Sequence, residues 1–355
     1  MSAPETPDFS AASCPTPLSH YPTVQLAHGG GGRLSQSLVE GMFLKAFDNP
    51  ELRRMHDGAL LGPQEGQLAF ATDSYVVRPL FFPGGDIGCL AVNGTLNDIA
   101  MCGARPVALA VGFIIEEGLA MDELWRVVLS MRRAAEDAGV PIVTGDTKVV
   151  DRGKGDKLYV NTTGIGRVPE GRQVDPVRAR PGDKVILSGE VAAHGIAIMS
   201  VREGLEFEST IESDTACLSP MVEALFDEVG SAVHVLRDPT RGGVASALNE
   251  LAKAAGVGFM LNELAIPIDE QVRAGCELLG FDPLYVANEG KCLAIVAAEA
   301  AEAALGVWRA HPLGHRAAII GEVTDAARPV VHLRSRIGGV RVVDMLSGEQ
   351  LPRIC

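Results

Sequence analysis

The chain has 355 residues, of which 47% are hydrophobic and 21% are charged. This composition excludes a disordered or coiled-coil chain, and the length suits two domains of ordinary size. A content of 40 glycines and 21 prolines favours a loop-rich α/β architecture over a helical bundle. The formal net charge of −14 argues against a nucleic-acid partner, since nucleic-acid binders present a basic face.

No segment of the sequence is typical of a membrane span or an export signal. The longest apolar stretch, Val107–Ile115, is far too short to cross a bilayer and predicts a buried strand. The N-terminus is polar and proline-rich, without a basic region followed by an apolar one. The 7 cysteines include no C-x-x-C pair, which excludes zinc-ribbon and thioredoxin-like sites. We therefore expect a cytoplasmic protein with free thiols and no membrane partner.

The first half of the chain predicts one α/β domain. A mobile leader over residues 1–24 is followed by a glycine run at 29–32 and by a helix that begins near Ser35. Apolar spacing predicts an amphipathic helix over residues 121–135. Strands are predicted at 67–77, 107–115, 141–144 and 157–165. These elements define a predicted N-terminal domain at 25–170.

A linker rich in proline, glycine and charge at 169–181 predicts a domain boundary. Beyond it, a strand is predicted at 184–188, a helix directly after Gly243 and a last strand at 330–333. These elements define a predicted C-terminal α/β domain at 171–333. Residues 334–355 are too few and too irregular for a domain, and we expect a flexible tail that carries the terminal cysteine.

Three acidic motifs stand at the predicted ends of strands or helices, and they contain Asp73, Asp98 and Asp146. Carboxylate oxygens that meet near a glycine loop suit Mg²⁺ bridging nucleotide phosphates. Each aspartate alone is equally well explained as a cap of a turn or helix. Their joint occurrence favours a shared site for ATP and metal.

A fourth motif, Asp238-Pro-Thr-Arg-Gly-Gly243, runs directly into the predicted helix. Bare glycines, backbone N–H groups at a helix start and an Arg side chain form an anion-binding site. The alternative is an ordinary helix N-terminus with proline in the turn. The chain contains neither a Walker A motif nor an early G-x-G-x-x-G, so the P-loop is excluded and the dinucleotide-binding fold is disfavoured.

Two further residues are candidates for catalysis. Glu289, beside Gly290, could act as a general base or a metal ligand, although a tight turn with a solvated acid explains it as well. Cys355 is the last residue, with Arg353 close by. The nine residues from Ser347 could span about 30 Å when extended, which is enough to carry a thiol into a distant site and out again. The alternative is an incidental terminal residue.

Taken together, the motifs resemble the ATP-binding superfamily of aminoimidazole ribonucleotide synthetase, which includes selenophosphate synthetase and thiamine-monophosphate kinase. The ending Pro352-Arg-Ile-Cys355 resembles one branch, the HypE hydrogenase maturation factors, which are carbamoyl dehydratases. The resemblance covers roughly residues 24–355. The motifs that carry it are Thr72-Asp-Ser74, Gly84-Gly-Asp-Ile-Gly88, Asn97-Asp98, Thr144-Gly-Asp-Thr-Lys148 and Asp238-Pro-Thr-Arg-Gly-Gly243.

The resemblance implies two α/β domains, with N-terminal domains that pair into a shared barrel in a homodimer. It implies ATP and Mg²⁺ as cofactors, and a thiocarboxamide on Cys355 that is installed by the carbamoyltransferase HypF. ATP-dependent dehydration would give a thiocyanate, whose cyano group would pass to iron on the HypC–HypD complex for [NiFe] hydrogenase.

The implied catalytic residues are Cys355, Lys148 and Glu289, with Lys148 on the phosphate or carbonyl oxygen. The implied metal ligands are Asp73, Asp98 and Asp146. The implied ATP site comprises Gly29, Gly30, Gly31, Gly32, Asp73, Asp98, Asp146, Thr147, Lys148, Asp238, Arg241 and Gly242.

Two other functions remain open at this point. A selenophosphate synthetase would need a reactive cysteine with a nearby lysine in its N-terminal segment, and Cys14 has no such neighbour. A non-catalytic thiol carrier or scaffold would not require three carboxylates around ATP. ATP turnover on a carbamoylated sample distinguishes the carrier from the enzyme.

Overall fold

The structure is a computed structural model that describes residues 21–30, 32–55, 58–205, 211–347 and 354–355. The predicted leader lies largely outside these residues, as do Gly31 and Arg353. Within the described ranges, no helix combines the length and the apolar character needed to cross a membrane.

The N-terminal half is a four-stranded sheet covered on one face by helices. Its strands lie in the order β1, β6, β4, β5, with β4 and β5 parallel and the other pairs antiparallel. Its elements are α1 (Arg33–Leu38), a π-helical turn (Val39–Phe43), α2 (Leu44–Phe47), β1 (Gln67–Tyr75), β2 (Phe81–Phe82), β3 (Gly85–Asp86), α3 (Ile87–Met101), β4 (Arg105–Glu116), α4 (Met121–Ala138), β5 (Ile142–Val150) and β6 (Leu158–Val168).

Helix α3 is the centre of this half, because it is buried on almost every side between the sheet and α4. Asp86 caps its first turn by accepting from the backbone N–H groups of Gly88 and Cys89 at 2.6 and 3.2 Å. Thr95 of α3 hydrogen-bonds Thr162 of β6 at 2.6 Å, which ties the helix to the sheet. The cap and this bond fix the position of Asp98 near the end of the helix.

The other face of this sheet is open in the single chain. Phe70 on β1 is 73% exposed and Ile114 on β4 is 46% exposed, although neighbouring residues on the same strands are buried. Alternation of this kind puts apolar side chains on both faces of a sheet that only one layer of helices covers. The open face is therefore a candidate surface for contact with another chain.

The C-terminal half is a seven-stranded sheet between helices. The strand order is β13, β12, β9, β11, β7, β10, β8, and every pair is antiparallel except β12 with β9. Its elements are β7 (Lys184–Leu187), α5 (Ala193–Glu203), α6 (Ser219–Val229), β8 (Val233–Arg237), α7 (Gly243–Ala255), β9 (Gly258–Asn262), α8 (Glu270–Leu279), β10 (Leu293–Val296), α9 (Ala301–Ala310), β11 (Ala318–Thr324), β12 (Val330–Arg334) and β13 (Val340–Val342).

The continuous apolar run of β7 follows from burial on both faces. Val185 and Leu187 pack into one core with α7, whereas Ile186 packs into a second core with α6 and α9. Burial on both sides agrees with the place of β7 inside the sheet, between β11 and β10.

Most of the predicted elements are confirmed, and two predictions are corrected. The strand predicted at 141–144 continues to Val150 because β4 pairs with it along its length. The motif that ends in Lys148 therefore lies inside a strand and not at its end. The predicted tail, 334–355, contains β13, which pairs with β12.

Candidate active site

The last two residues of the chain are docked between the two halves. Ile354 is 3% exposed and packs into the core of the N-terminal half. Its backbone oxygen accepts a hydrogen bond from Nε2 of His194, on α5, at 2.7 Å. Burial, and next the carboxylate of Glu289, raise the pKa of the Cys355 thiol well above its usual value. The thiol is therefore held in its protonated form where it docks.

The Cys355 thiol is hydrogen-bonded to the side chain of Glu289. Glu289 is 4% exposed, so the alternative of a solvated acid on a turn does not hold. Burial raises its pKa well above the usual range, with further contributions from the carboxylates of Asp214, Asp238 and Asp73. Its Oε1 has no hydrogen-bond partner among the described residues. A buried carboxyl beside the thiol is placed to exchange protons with a group on sulfur.

Three aspartates share one electrostatic environment next to this pair. Burial, followed by the carboxylates of Asp238 and Asp73, raises the pKa of Asp98 to about 7. Burial also raises the pKa of Asp238, and Asp73 adds to this rise. Carboxylates grouped in this way favour a bound cation. The structure therefore groups Asp73 and Asp98 with Asp238.

Asp146 does not join this group within one chain. It lies on β5, at the opposite edge of the sheet from β1, so its Cα is roughly 14 Å from that of Asp73 across three strand spacings. The two side chains also point to opposite faces, because Asp73 alternates with exposed Ser74 and shares a face with buried Tyr75. Lys148 is exposed on the same open face as Asp146. Sequence spacing does not reveal this separation, which depends on strand order.

Part of the predicted ATP site lines a cavity beside β5 instead. The cavity has a volume of about 360 Å³, and the residues around it include His28, Gly29, Phe113, Asp146, Thr147 and Lys148. A Cβ on Gly29 would lie 2.4 Å from the backbone nitrogen of Val149, so the residue must be glycine for the loop to reach the strand. Gly30 and Gly32 meet no comparable constraint.

The predicted anion site at the start of α7 is built as the sequence suggests. Helix α7 begins at Gly243, directly after Gly242, and both glycines have positive φ, at 60° and 78°. A Cβ on Gly243 would lie 2.4 Å from the backbone oxygen of Leu284. Arg241 is exposed at the entrance of the turn. The turn leads from Asp238 to the open backbone N–H groups of the helix.

A short segment at 213–217, which sequence reasoning missed, connects these groups. Asp214 Oδ1 accepts from the Glu289 backbone N–H at 3.0 Å, and Lys291 Nζ lies 3.5 Å from its Oδ2. Asn97, next to Asp98, donates to the backbone oxygens of Ala216 and Glu289 at 3.0 and 3.2 Å. These contacts link residues separated by more than seventy positions, and no local pattern signals them.

The residues present fit Mg²⁺ bound together with nucleotide phosphate. In the part of the chain that the structure describes, no group of three or more His, Cys, Asp or Glu side chains is arranged to hold a metal ion by itself. Mg²⁺ in phosphoryl-transfer sites is held by one or two carboxylates, phosphate oxygens and water, so no closed cage is required. Burial first, and then the carboxylates of Asp238 and Asp73, raise the pKa of Asp98, and a bound cation would offset the repulsion among these carboxylates.

Comparison with known proteins gives the class of the fold. Residues 55–168 match the N-terminal domain of AIR synthase related proteins, and residues 180–334 match their C-terminal domain. A solved thiamine-monophosphate kinase from Stenotrophomonas maltophilia shares this fold at 20% identity, with a TM-score of 0.62 over 78% of this chain and 89% of that one. The two halves are thus the two domains of this class.

Much closer relatives define the branch. The chain is 55% identical to the carbamoyl dehydratase HypE of Cupriavidus necator over 94% of this chain and 95% of that protein. It is 47% identical to HypE of Escherichia coli over 94% and 99%. A crystal structure of hydrogenase maturation protein HypE in complex with ATP superposes with a TM-score of 0.91, at 52% identity, over 94% and 100%. The chain therefore belongs to the HypE carbamoyl dehydratase family of AIR synthase related proteins.

Proposed function

We propose that this protein dehydrates a thiocarboxamide on Cys355 to a thiocyanate, with ATP as the phosphoryl donor, and so supplies the cyanide ligand for [NiFe] hydrogenase maturation. The observation that carries the proposal is the docked Cys355 thiol, hydrogen-bonded to buried Glu289 beside the Asp73, Asp98 and Asp238 group. A thiol carrier without catalysis would need neither a buried base nor a cluster of carboxylates.

The chemistry requires two proton transfers and one phosphoryl transfer. As the carbonyl oxygen of the thiocarboxamide attacks the terminal phosphoryl group of ATP, one N–H proton leaves and ADP is released. Loss of the second N–H proton expels phosphate and forms the C≡N bond. Glu289 would accept a proton from nitrogen, because its carboxyl lies against the sulfur that bears the group. Its raised pKa makes it a strong base once deprotonated.

One or two of Asp73, Asp98 and Asp238 would hold Mg²⁺ together with phosphate oxygens and water, and the ion would supply charge neutralisation for the transferring phosphoryl group. The N–H groups of the turn before α7, with Arg241, would bind phosphate. Gly29, Gly30, Gly31, Gly32 and Thr147 remain candidates for the rest of the nucleotide. ATP binding by this chain is supported by its resemblance to the relative solved with ATP.

The positions of Asp146 and Lys148 support a site shared between two copies. The edge strands of the N-terminal sheet are β1 and β5. In this arrangement, the sheets of two copies pair along these edges and close into one barrel. A two-fold axis along the barrel then places β5 of one copy beside β1 of the other. The exposed Phe70 and Ile114 would become buried inside the barrel. Asp146 and Lys148 also line the cavity at the edge of β5, and from that edge they would act in the site of the second copy, with Lys148 on the phosphate or the carbonyl oxygen.

Partners follow from the same chemistry. A carbamoyltransferase of the HypF type would load Cys355, and a relative of this chain has been solved in a HypE–HypF complex with a TM-score of 0.77 at 48% identity, over 87% and 100% of the two chains. An iron-carrying HypC–HypD complex would receive the cyano group. A free carrier thiol suits the reducing cytoplasm.

Intact mass tests the proposed reaction. Carbamoylated protein incubated with Mg²⁺ and ATP should lose one water from the peptide that contains Cys355, and ADP should form in equal amount. ATP hydrolysis without this mass change would refute dehydration and leave the carrier function.

Mixing two inactive variants tests the shared site. Asp73→Asn and Asp146→Asn should each abolish turnover. If one site uses Asp73 from one copy and Asp146 from the other, a mixed dimer contains one intact site, and activity returns on mixing. No recovery in a dimer that mass spectrometry shows to be mixed would assign both residues to the same copy.

A further inference from the structure

His194 contacts the end of the chain but belongs to none of the groups that bind nucleotide or move protons. It lies in the first turn of α5 and is wholly buried. Phe82 meets its ring edge-on, with the ring centroids 5.6 Å apart. Its Nε2 lies 2.7 Å from the backbone oxygen of Ile354. A buried histidine that binds the penultimate residue of the chain calls for an explanation beyond packing.

The hydrogen bonds around His194 allow one arrangement of protons for the neutral ring. A backbone oxygen only accepts, so Nε2 carries the proton and donates to Ile354. Nδ1 then accepts from the Ser213 hydroxyl at 2.7 Å. The Ser213 oxygen in turn accepts from the Thr215 backbone N–H at 3.2 Å. Burial lowers the pKa of His194, which favours this neutral form. Ser213 therefore orients the imidazole toward the tail.

We propose that His194, oriented by Ser213, is the docking site, or seat, of the carboxy-terminal dipeptide Ile354-Cys355. By holding the Ile354 backbone oxygen, it positions the Cys355 thiol against Glu289. This proposal deepens the proposed function, on which the catalytic meaning of the seat rests. His194 is thus a positioning residue, since it touches the backbone of the tail and not the reacting atoms.

The geometry of the peptide unit explains how one hydrogen bond achieves this. The carbonyl oxygen of Ile354 and the Cα of Cys355 belong to the same planar peptide group. Holding that oxygen therefore fixes the plane from which the cysteine side chain projects. The buried Ile354 side chain prevents the unit from sliding. Two anchors on one dipeptide leave the thiol little freedom beyond rotation about φ and χ1 of Cys355 itself.

The seat and the base are built on one segment. Ser213 orients His194, and the next residue, Asp214, accepts from the backbone N–H of Glu289 at 3.0 Å. The Ser213 backbone N–H donates to Pro83 at 2.8 Å, which ties the segment to the N-terminal domain. Because one short segment positions both the Cys355 thiol and the Glu289 carboxyl, the distance between these two groups varies little.

Alkylation of Cys355 measures the seat without ATP, carbamoyl donor or turnover. The full-length protein is treated with iodoacetamide, and the rate at Cys355 is read from its C-terminal peptide by mass spectrometry. His194→Phe keeps a ring of similar size but loses the donor, and we expect the rate to rise about tenfold as the tail undocks. His194→Gln keeps a donor near the position of Nε2 and should stay within about threefold of wild type.

His234 provides the matched control. It is also buried, at 4% exposure, and it hydrogen-bonds Asp183 at 2.7 Å, away from the tail. His234→Gln should leave the alkylation rate of Cys355 unchanged even where it lowers thermal stability. If the alkylation rate of Cys355 rises equally in His194→Phe and His234→Gln, release of the tail results from general destabilisation. That result would overturn the proposed role of His194.

Two further readouts keep the proposal open to refutation if His194→Phe does not fold. Ser213→Ala removes only a hydroxyl and should raise the alkylation rate about threefold by freeing the imidazole. In carbamoylated protein, the same variant should lower kcat for dehydration while KM for ATP stays unchanged. A wild-type alkylation rate in folded Ser213→Ala or His194→Phe overturns the proposal, as do equal rises in His194→Phe and His194→Gln. Failure of dehydration in wild-type protein would instead refute the proposed function.

Discussion

Replacing Glu289 by glutamine should abolish activity and stabilise the fold at the same time. Glutamine keeps the shape of the side chain but can neither ionise nor accept a proton at physiological pH. The loss of a general base typically lowers a rate by about 10²–10⁴-fold, which equals about 3–5 kcal/mol of transition-state stabilisation. We expect dehydration to fall by this factor while ATP binding is nearly unchanged.

The gain in stability follows from the raised pKa of Glu289. The folded protein binds this proton more tightly than the unfolded chain, so the contribution to stability is complete below the unfolded pKa near 4.5 and is lost as pH rises through the folded pKa. Each pKa unit of the rise costs about 1.4 kcal/mol at higher pH. Glutamine avoids this cost, and each kcal/mol should raise Tm by about 1–2 °C in a protein of this size.

The assay combines two measurements on the same preparations. Thermal unfolding is followed at pH 8 and near pH 4, where the advantage of Glu289→Gln should vanish because wild-type Glu289 is protonated in both states. Dehydration is followed by the mass of the C-terminal peptide. Glu302→Gln, an exposed glutamate on α9, is the matched control and should change neither result.

The opposite outcome is equally clear. A structural role for Glu289 predicts that the variant loses stability and activity together at pH 8. Full conversion to thiocyanate by a stable Glu289→Gln would place the base elsewhere, and Asp98 would be the next candidate.

Three further predictions test the remaining groups of the site. Cys355→Ala should fold and bind ATP yet accept no carbamoyl group, and continued carbamoylation by intact mass would identify another acceptor. Asp98→Asn should weaken Mg²⁺-dependent ATP binding by about 10–100-fold in calorimetry; because burial and neighbouring acids raise the pKa of Asp98 to about 7, it should also raise Tm above pH 7 without Mg²⁺. Lys148→Ala should keep its Tm, since the side chain is exposed, and should form little ADP; normal ADP formation would exclude a role in phosphoryl transfer.

Local sequence patterns were enough to predict most of the helices and strands and the residues available for chemistry. The apolar run of β4, the amphipathic period of α4 and the glycines before α7 are local signals, and each leads to the element found. The order of the motifs likewise indicated the family and the importance of Cys355. Local patterns carry this information because backbone sterics and side-chain periodicity act over a few residues.

Which of these groups meet depends on the packing of the folded chain. Asp146 looks like a partner of Asp73 in the sequence, yet strand order puts them at opposite edges and on opposite faces of one sheet. Asp238 takes its place beside Asp73, although it lies in the other domain. No local pattern signals the role of His194, because that role depends on a backbone oxygen 160 residues away along the chain. Charge proximity and buried hydrogen bonds arise from packing, which no local pattern encodes.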